Sequence, residues 1–232
     1  MESRRIISRE DILPLQFRSL VDHLFQRMLQ NRVDPFGNII ATPARGSFMG
    51  NRGVIHNEHK QITHAFKHKA WITCLLEFKG RNRTVMIAGR WTELFFLDEA
   101  TAFAAGHRPC FECRREDAKR FKFCWIKGNP SYNFSMNSSI KEIDEIIHRE
   151  RIDNEKKKVV HQRMSSEIPE GTFILFDADP YLFNKNRLHR WTPFGYEKII
   201  DLPPDSMITV LTPNSIVNAF CAGYVPDIIA VR

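Results

Sequence analysis

The stretch FFLDEATAFAAGHRPCFECRR, residues 95–115, decides the fold. Asp98 is a favourable N-cap residue and Gly106 a favourable residue just beyond a helix end, so the sequence predicts a short helix between them. After that helix, Cys110 and Cys113 stand two residues apart behind a proline. A second helix is predicted to begin at these cysteines. The chain therefore presents two thiols in a turn between two helices.

The C-x2-C spacing of Cys110 and Cys113 is typical of a zinc site. Zinc takes four ligands in a tetrahedron, and one turn with this spacing delivers two of them. The positive end of the following helix, together with Arg114 and Arg115, favours the thiolate form of the cysteines. Two other interpretations remain open from the spacing: a thioredoxin-like redox pair, and two buried thiols without a metal.

The same stretch resembles the second half of the Ada-type metal-binding domain of DNA-repair proteins. The shared pattern is a short alanine-rich helix, a glycine, an RPC step, two residues, and then a cysteine followed by a basic residue. The resemblance implies that Cys110 and Cys113 are zinc ligands. Domains of that family carry a first cysteine pair upstream, one member of which accepts a methyl group from DNA. This chain has only Cys74 upstream, so methyl transfer is not implied.

A second resemblance extends over most of the chain. The segments NRVDPFG, ARGSFMGNRG, TELFFLDEATAFAAGHRPCFECRR and LTPNSI are similar to those of a bacterial protein family of uncharacterised function. This resemblance implies a bacterial protein and implies no particular activity.

The remaining ligands of a zinc site must come from elsewhere in the chain. Cys74, in a strand-like segment, is the leading third ligand, and a buried strand thiol is the competing interpretation. His56 is the candidate for the fourth ligand. The other histidines near these cysteines in the sequence are His59, His64, His68 and His107. Each histidine can also be a solvated or core imidazole, so the sequence predicts a Zn²⁺ site at Cys110, Cys113, Cys74 and His56.

The formal net charge of the 232-residue chain is +7, which favours polyanionic partners and above all nucleic acid. The loop ARGSFMGNRG has the glycines and arginines of an anion-binding loop, with Arg45 and Arg52 placed to grip a phosphate. Together with Arg114 and Arg115, these arginines form the predicted nucleic-acid or phosphate-binding set. A structural turn and a merely basic solvated surface are the competing interpretations.

Three further side chains raise the alternative of an enzyme. His148, Arg151 and His161 are the types of residue that a phosphodiesterase or nuclease uses, with histidine as acid or base and arginine on the phosphate. Asp144 and His148, however, are spaced i, i+4 as on the polar face of a helix, so a solvated helix face is the competing interpretation. A protein-interaction module whose zinc only holds the fold is a third possibility.

The other elements predict an α+β fold. An amphipathic helix is expected over residues 14–30, a hairpin of strands over 70–78 and 84–89, and a helix over 138–151. After residue 169, short apolar runs alternate with turn residues as in a β-meander, followed by a helix with Thr212 as its N-cap. The predicted arrangement is a zinc-stabilised α/β core with an N-terminal helix, and a β-rich C-terminal region ending in a helix.

The domain boundaries follow from composition. Residues 1–151 are expected to form the N-terminal helix and the zinc-knuckle core, residues 152–168 a basic linker, and residues 169–232 the β-meander with its helix. No apolar run is long enough for a membrane span and the N-terminus does not look like a signal peptide, which together predict a cytoplasmic protein. The function predicted from the sequence is a zinc-binding cytoplasmic protein that binds nucleic acid.

Overall fold

The computed structural model describes residues 28–81 and 84–230 and contains two six-stranded sheets. The N-terminal sheet has the strand order β2-β1-β5-β3-β4-β6, in which the β1–β5 and β4–β6 pairs are parallel and the others antiparallel. Its strands are β1 (Gln30–Val33), β2 (Ile39–Ala41), β3 (Phe48–Asn51), β4 (Ile72–Cys74), β5 (Leu94–Phe96) and β6 (Arg108–Pro109).

The C-terminal sheet has the order β11-β10-β9-β8-β12-β7, with every pair antiparallel. Strands β8 to β11 follow one another as neighbours, so the predicted β-meander is confirmed. Its strands are β7 (His161–Met164), β8 (Phe173–Phe176), β9 (Asp179–Asn184), β10 (Arg187–Thr192), β11 (Gly195–Asp201) and β12 (Met207–Val210). The turn between β8 and β9 places Asp177 and Ala178 at positive φ, as a tight hairpin requires.

Four α-helices lie in the described part of the chain: α1 (Glu99–Ala104), α2 (Arg115–Gly128), α3 (Ile140–Arg151) and α4 (Asn214–Cys221). The caps predicted for α1 are confirmed, since Asp98 Oδ1 accepts a hydrogen bond from the Thr101 amide at 2.8 Å and Gly106 has a φ of +83°. Helix α4 begins one residue later than expected, with Pro213 as its N-cap. None of these helices has the length and apolar character that crossing a lipid bilayer requires.

Helix α1 lies at the centre of the molecule, and all six of its residues are buried. Ala102 packs in the apolar cluster of the N-terminal sheet, whereas Ala100 and Ala104 pack against Phe173 and Leu182 of the C-terminal sheet. Phe103 belongs to a third cluster, which lies between α2, α3 and α4. The short helix therefore joins both sheets and the helical layer.

The α+β class is confirmed, with a helix near the C-terminal end. The predicted N-terminal helix lies outside the described residues up to position 27, and Gln30, its last expected residue, begins β1 instead. Part of the segment 152–168 forms β7 and a 3-10 turn, Ser165–Glu167. The division into two domains stays a prediction.

The predicted hairpin is wrong. Residues 84–89, the expected returning strand, form turns, and β4 pairs instead with β3 and β6. Met86 is buried at a φ of +55°, and its amide donates a hydrogen bond of 2.7 Å to a carboxylate oxygen of Glu93. Both edges of β4 are occupied by other strands, so residues 84–89 cannot pair with it and form turns instead.

Candidate metal centre

Three cysteine side chains meet where two parallel strands end. Thr73 of β4 is paired with Pro109 of β6, and the amide of Cys110 donates to the carbonyl of Thr73 at 2.9 Å. This register sets Cys74 beside Cys110. The Sγ atoms of Cys74, Cys110 and Cys113 all lie within 4.8 Å of one another. The structure thus brings the expected third cysteine to the C-x2-C pair.

The turn before α2 aims backbone donors at the sulfurs. The amide of Glu112 donates to Cys110 Sγ at 3.3 Å, and the carbonyl of Cys110 accepts from the Arg114 amide at 3.0 Å. The pKa of Cys110 is lowered, first by the hydrogen bond from the Cys113 thiol and then by the one from Cys74. The pKa values of Cys74 and Cys113 are raised, in each case chiefly by the hydrogen bond to Cys110. The lowered pKa of Cys110 favours ionisation of this thiol before those of Cys74 and Cys113.

The cluster is apolar on one side and open on the other. Cys74 and Cys110 are buried and pack with Met49, whereas Cys113 is half-buried. A cavity of about 160 Å³ adjoins the three sulfurs. Its other lining residues include Asn51, Phe78, Arg81, Trp91 and Glu112. A metal held by the sulfurs would therefore be reachable from this cavity.

The donor set fits a thiolate-binding metal ion. With zinc–sulfur bonds of about 2.3 Å, two sulfurs of a tetrahedral site stand about 3.8 Å apart, which the observed cluster can match with small movements. Within residues 28–81 and 84–230, no histidine, aspartate, glutamate or further cysteine joins the three sulfurs. The described part of the chain thus offers three sulfur atoms that could bind a metal ion, one fewer than a tetrahedral site needs.

His56, the predicted fourth ligand, is not brought to the cysteines. Its Nδ1 lies 2.6 Å from Thr92 Oγ1 and its Nε2 lies 3.2 Å from the carbonyl oxygen of Ile87. Both ring nitrogens are therefore engaged in hydrogen bonds within the fold, and the imidazole holds the loop before β5 in place.

The four arginines of the predicted phosphate-binding set do not form one exposed group. Arg45 and Arg115 are exposed, but Arg52 is only 2% exposed and Arg114 only 5%. Arg114 forms an ion pair of 2.6 Å with the buried carboxylate of Glu99. Burial and ion pairing therefore give Arg114 a role inside the fold.

The three candidates for a phosphodiester site are partly brought together. His148 Nδ1 lies 2.6 Å from Arg151 Nη2, so the pair is in contact at the end of α3. His161 lies on β7, where its Nε2 is 3.0 Å from the carbonyl oxygen of Thr212. The competing interpretation of a solvated helix face is wrong, because Asp144 and Arg151 are both buried.

Sequence reasoning missed a group of cationic and aromatic side chains around Arg52. Trp71, His107, Arg151 and Lys158 come from segments far apart in the chain and converge near that guanidinium. No local spacing links these residues, so only the tertiary fold reveals the group.

No protein-family model, curated protein or solved structure matches this chain.

Proposed function

We propose that the protein binds one zinc ion through Cys74, Cys110 and Cys113, and that the zinc stabilises the fold. The observation that carries the proposal is the convergence of three sulfurs from β4 and from the turn before α2. Zinc prefers thiolate ligands in a tetrahedral arrangement. Because the metal would connect β4 to the start of α2, its binding free energy would add directly to folding stability.

The free thiols bear on the cellular compartment in which the protein works. All five cysteines are unpaired in the structure, including the exposed Cys221. Free thiols are usual where glutathione and thioredoxin keep cysteines reduced. We therefore propose that the protein works in the cytoplasm.

The test of the zinc site is metal content combined with the spectrum of the cobalt-substituted protein. Protein reconstituted with zinc and then dialysed should retain about one zinc per chain. Cobalt in the same site should show sulfur-to-metal charge-transfer absorption. Cys74→Ser and Cys113→Ser should each lose zinc and weaken that absorption, because a hydroxyl is a far poorer zinc ligand than a thiolate.

Cys221→Ser is the matched control, since this cysteine is exposed and lies on α4 outside the cluster. It should retain the metal and the cobalt spectrum. Wild-type protein that retains no zinc after reconstitution would overturn the proposal, as would equal loss of metal in the control.

Nucleic-acid binding is a second proposal, supported by the net charge of +7. We propose that Arg45 and Arg115, the exposed members of the arginine set, contact phosphates. Contacts of this kind are electrostatic and independent of sequence, so they would position a nucleic acid without selecting its bases.

A further inference from the structure

A pocket of about 690 Å³ lies apart from the cysteines, between the β1–β2 turn, residues 62–65 and the segment that follows α3. Its charged lining consists of Arg52, Lys156, Lys157 and Lys158, and no carboxylate lines it among the residues that the structure describes. The volume is within the range of pockets that bind small organic molecules.

Arg52 is the buried cation of this pocket. Its Nη1 donates to the carbonyl of Gly37 at 2.9 Å and its Nε to His107 Nε2 at 3.3 Å. Its Nη2 is buried and has no hydrogen-bond partner. Since a buried guanidinium nitrogen normally has a partner, the missing one points to a group that the protein itself does not provide.

Behind Arg52 lies a second buried guanidinium. The Cζ atoms of Arg52 and Arg151 both lie 3.7 Å from the Trp71 ring, so cation–π contacts hold both groups. Arg151 is fixed by the carbonyls of Gly106 and Lys69, at 2.8 and 2.7 Å, while its Nε has no partner. The two arginines are thus held in place before any ligand arrives.

The charges around the pocket are not balanced. Arg52 and Lys158 interact with the carboxylate of Asp34, but no ion pair within 4.0 Å joins Arg52, Arg151 or Lys158 to a carboxylate of the described residues. The nearby acidic side chains of α3 are engaged elsewhere, Asp144 with Arg108 and Glu145 with Lys69. Asp34 is therefore the carboxylate that acts on both Arg52 and Lys158, and it forms an ion pair with neither.

Burial lowers the pKa of Arg52 to about 9 and the pKa of Lys158 to about 7, because desolvation disfavours the charged form of each side chain. In both cases desolvation is the largest cause, and for Lys158 repulsion from Arg52 and Arg151 adds to it. A bound anion would reverse both effects by supplying opposite charge in a desolvated site.

We propose that this pocket binds a small organic phosphate, with the phosphate group contacting Arg52 and Lys158. Arg52 and Lys158 place positive charge in the pocket, and no carboxylate of the described residues lines it, so a phosphate anion would supply the missing negative charge. Phe36, Ile39, Ile62 and Ile152 also line the pocket and provide an apolar wall for the organic part of the ligand. Lys156 and Lys157, both exposed, would attract the anion to the entrance.

The burial of Arg52 favours a terminal phosphate over the backbone of a nucleic acid. A phosphomonoester can place its phosphate at the base of a pocket, whereas a backbone phosphate carries a sugar on both sides. At 2% exposure, Arg52 is out of reach of such a chain without rearrangement of the fold. Binding of an organic phosphate in the pocket is therefore a separate proposal from binding of nucleic acid by the exposed Arg45 and Arg115.

The test is calorimetric titration at low ionic strength with inorganic phosphate, pyrophosphate and phenyl phosphate. We expect saturable binding at one site per chain, tightest for phenyl phosphate because it also fills the apolar wall. Arg52→Gln should weaken phenyl phosphate binding about tenfold or more, since a charge-assisted hydrogen bond is lost. Lys158→Gln should also weaken the binding of phenyl phosphate. This second variant tests the proposal even if Arg52→Gln, which changes a buried side chain, does not fold.

Lys119→Gln is the matched control, because it removes the same charge from an exposed position on α2. Its affinity for phenyl phosphate should equal that of the wild type. Absence of saturable binding of all three probes at about 10 mM would overturn the proposal, because that limit corresponds to negligible affinity. Unchanged affinity in Lys158→Gln would place the binding elsewhere, and benzoate binding as tightly as phenyl phosphate would overturn the choice of phosphate.

Discussion

Arg108 and Asp144 form a bidentate ion pair in the interior, with Nε–Oδ1 and Nη2–Oδ2 distances of 2.8 Å each. Arg108 belongs to β6, directly before the first cysteine of the C-x2-C pair, and Asp144 lies on α3. Both side chains are buried. The pair therefore anchors the strand that positions Cys110 to the helical layer.

Removing the charge of Asp144 should destabilise the protein strongly. Asp144→Asn leaves the buried Arg108 guanidinium without its counter-charge, and the free energy of unfolding should fall by about 3 kcal/mol. Glu145→Gln is the matched control, because its ion pair with Lys69 is exposed to solvent and such pairs contribute little to stability. Urea denaturation of both variants measures the difference. Equal losses of unfolding free energy in the two variants would show that the buried Arg108–Asp144 pair stabilises the protein no more than an exposed pair does.

His148 should make the protein sensitive to acid. Desolvation, followed by repulsion from Arg151 and Lys69, lowers the pKa of His148 from 6.5 to about 4. The unfolded chain therefore binds a proton that the folded chain does not, so stability falls as the pH drops from 6.5 towards 4. Because the ring is half-buried, we expect a slope of about 1 kcal/mol per pH unit or less from this residue.

The measurement is the free energy of unfolding across that pH window for the wild type and for His148→Gln. Glutamine keeps an acceptor for Arg151 Nη2 and does not titrate. The variant should lose stability less steeply on acidification, whereas His59→Gln, at an exposed position, should follow the wild type. If the free energy of unfolding changes with pH in the same way in all three proteins, His148 is not the source of the acid sensitivity.

Nucleic-acid affinity should depend on Arg45 and Arg115. Arg45→Ala and Arg115→Ala should each weaken binding to single-stranded or duplex DNA and reduce the slope of log K against log salt by about one, since one phosphate contact is lost. Fluorescence anisotropy at several salt concentrations measures that slope. Arg187→Ala, which removes an exposed charge from the C-terminal sheet, is the control. If Arg187→Ala reduces the affinity and the salt slope equally, binding reflects the net charge and not Arg45 and Arg115. If the wild type binds no nucleic acid at low salt, the nucleic-acid proposal is wrong.

Chelation should lower the melting temperature of the zinc-loaded protein. A ligand that binds only the folded state stabilises it by about 4 kcal/mol when present at 1,000 times its Kd. Calorimetry with and without a strong chelator measures the shift. Cys74→Ser should melt at the same temperature with and without the chelator, because the two remaining cysteines are too few to retain the metal. A chelator-induced shift of wild-type size in Cys74→Ser would mean that the stabilising metal binds elsewhere.

The sequence predicted those features that depend on neighbouring residues. The caps of α1 are set by Asp98 and Gly106, each of which acts within one helical turn, and the C-x2-C turn is likewise local. Cys74 could be named because few cysteines were available, although the parallel pairing of β4 with β6 that brings it to Cys110 has no local signal.

Features that depend on distant segments could not be predicted. Arg52 and His107 are 55 positions apart, and Arg151 reaches a carbonyl 82 positions away. The apolar spacing of residues 138–151 correctly indicated a helix, but Asp144, expected on a solvated face of it, is buried. That outcome depends on Arg108, which supplies the counter-charge that allows a carboxylate to be buried.

The central position of α1 has a consequence for how the molecule unfolds. Six residues link the apolar clusters of the two sheets and the helical layer, so loosening either sheet uncovers a surface of the same helix. Local openings should therefore merge into one cooperative event, and the amides of α1 should exchange with solvent only when the whole fold opens. A protein built around such a shared helix is expected to expose little of its interior to proteases until the whole fold opens.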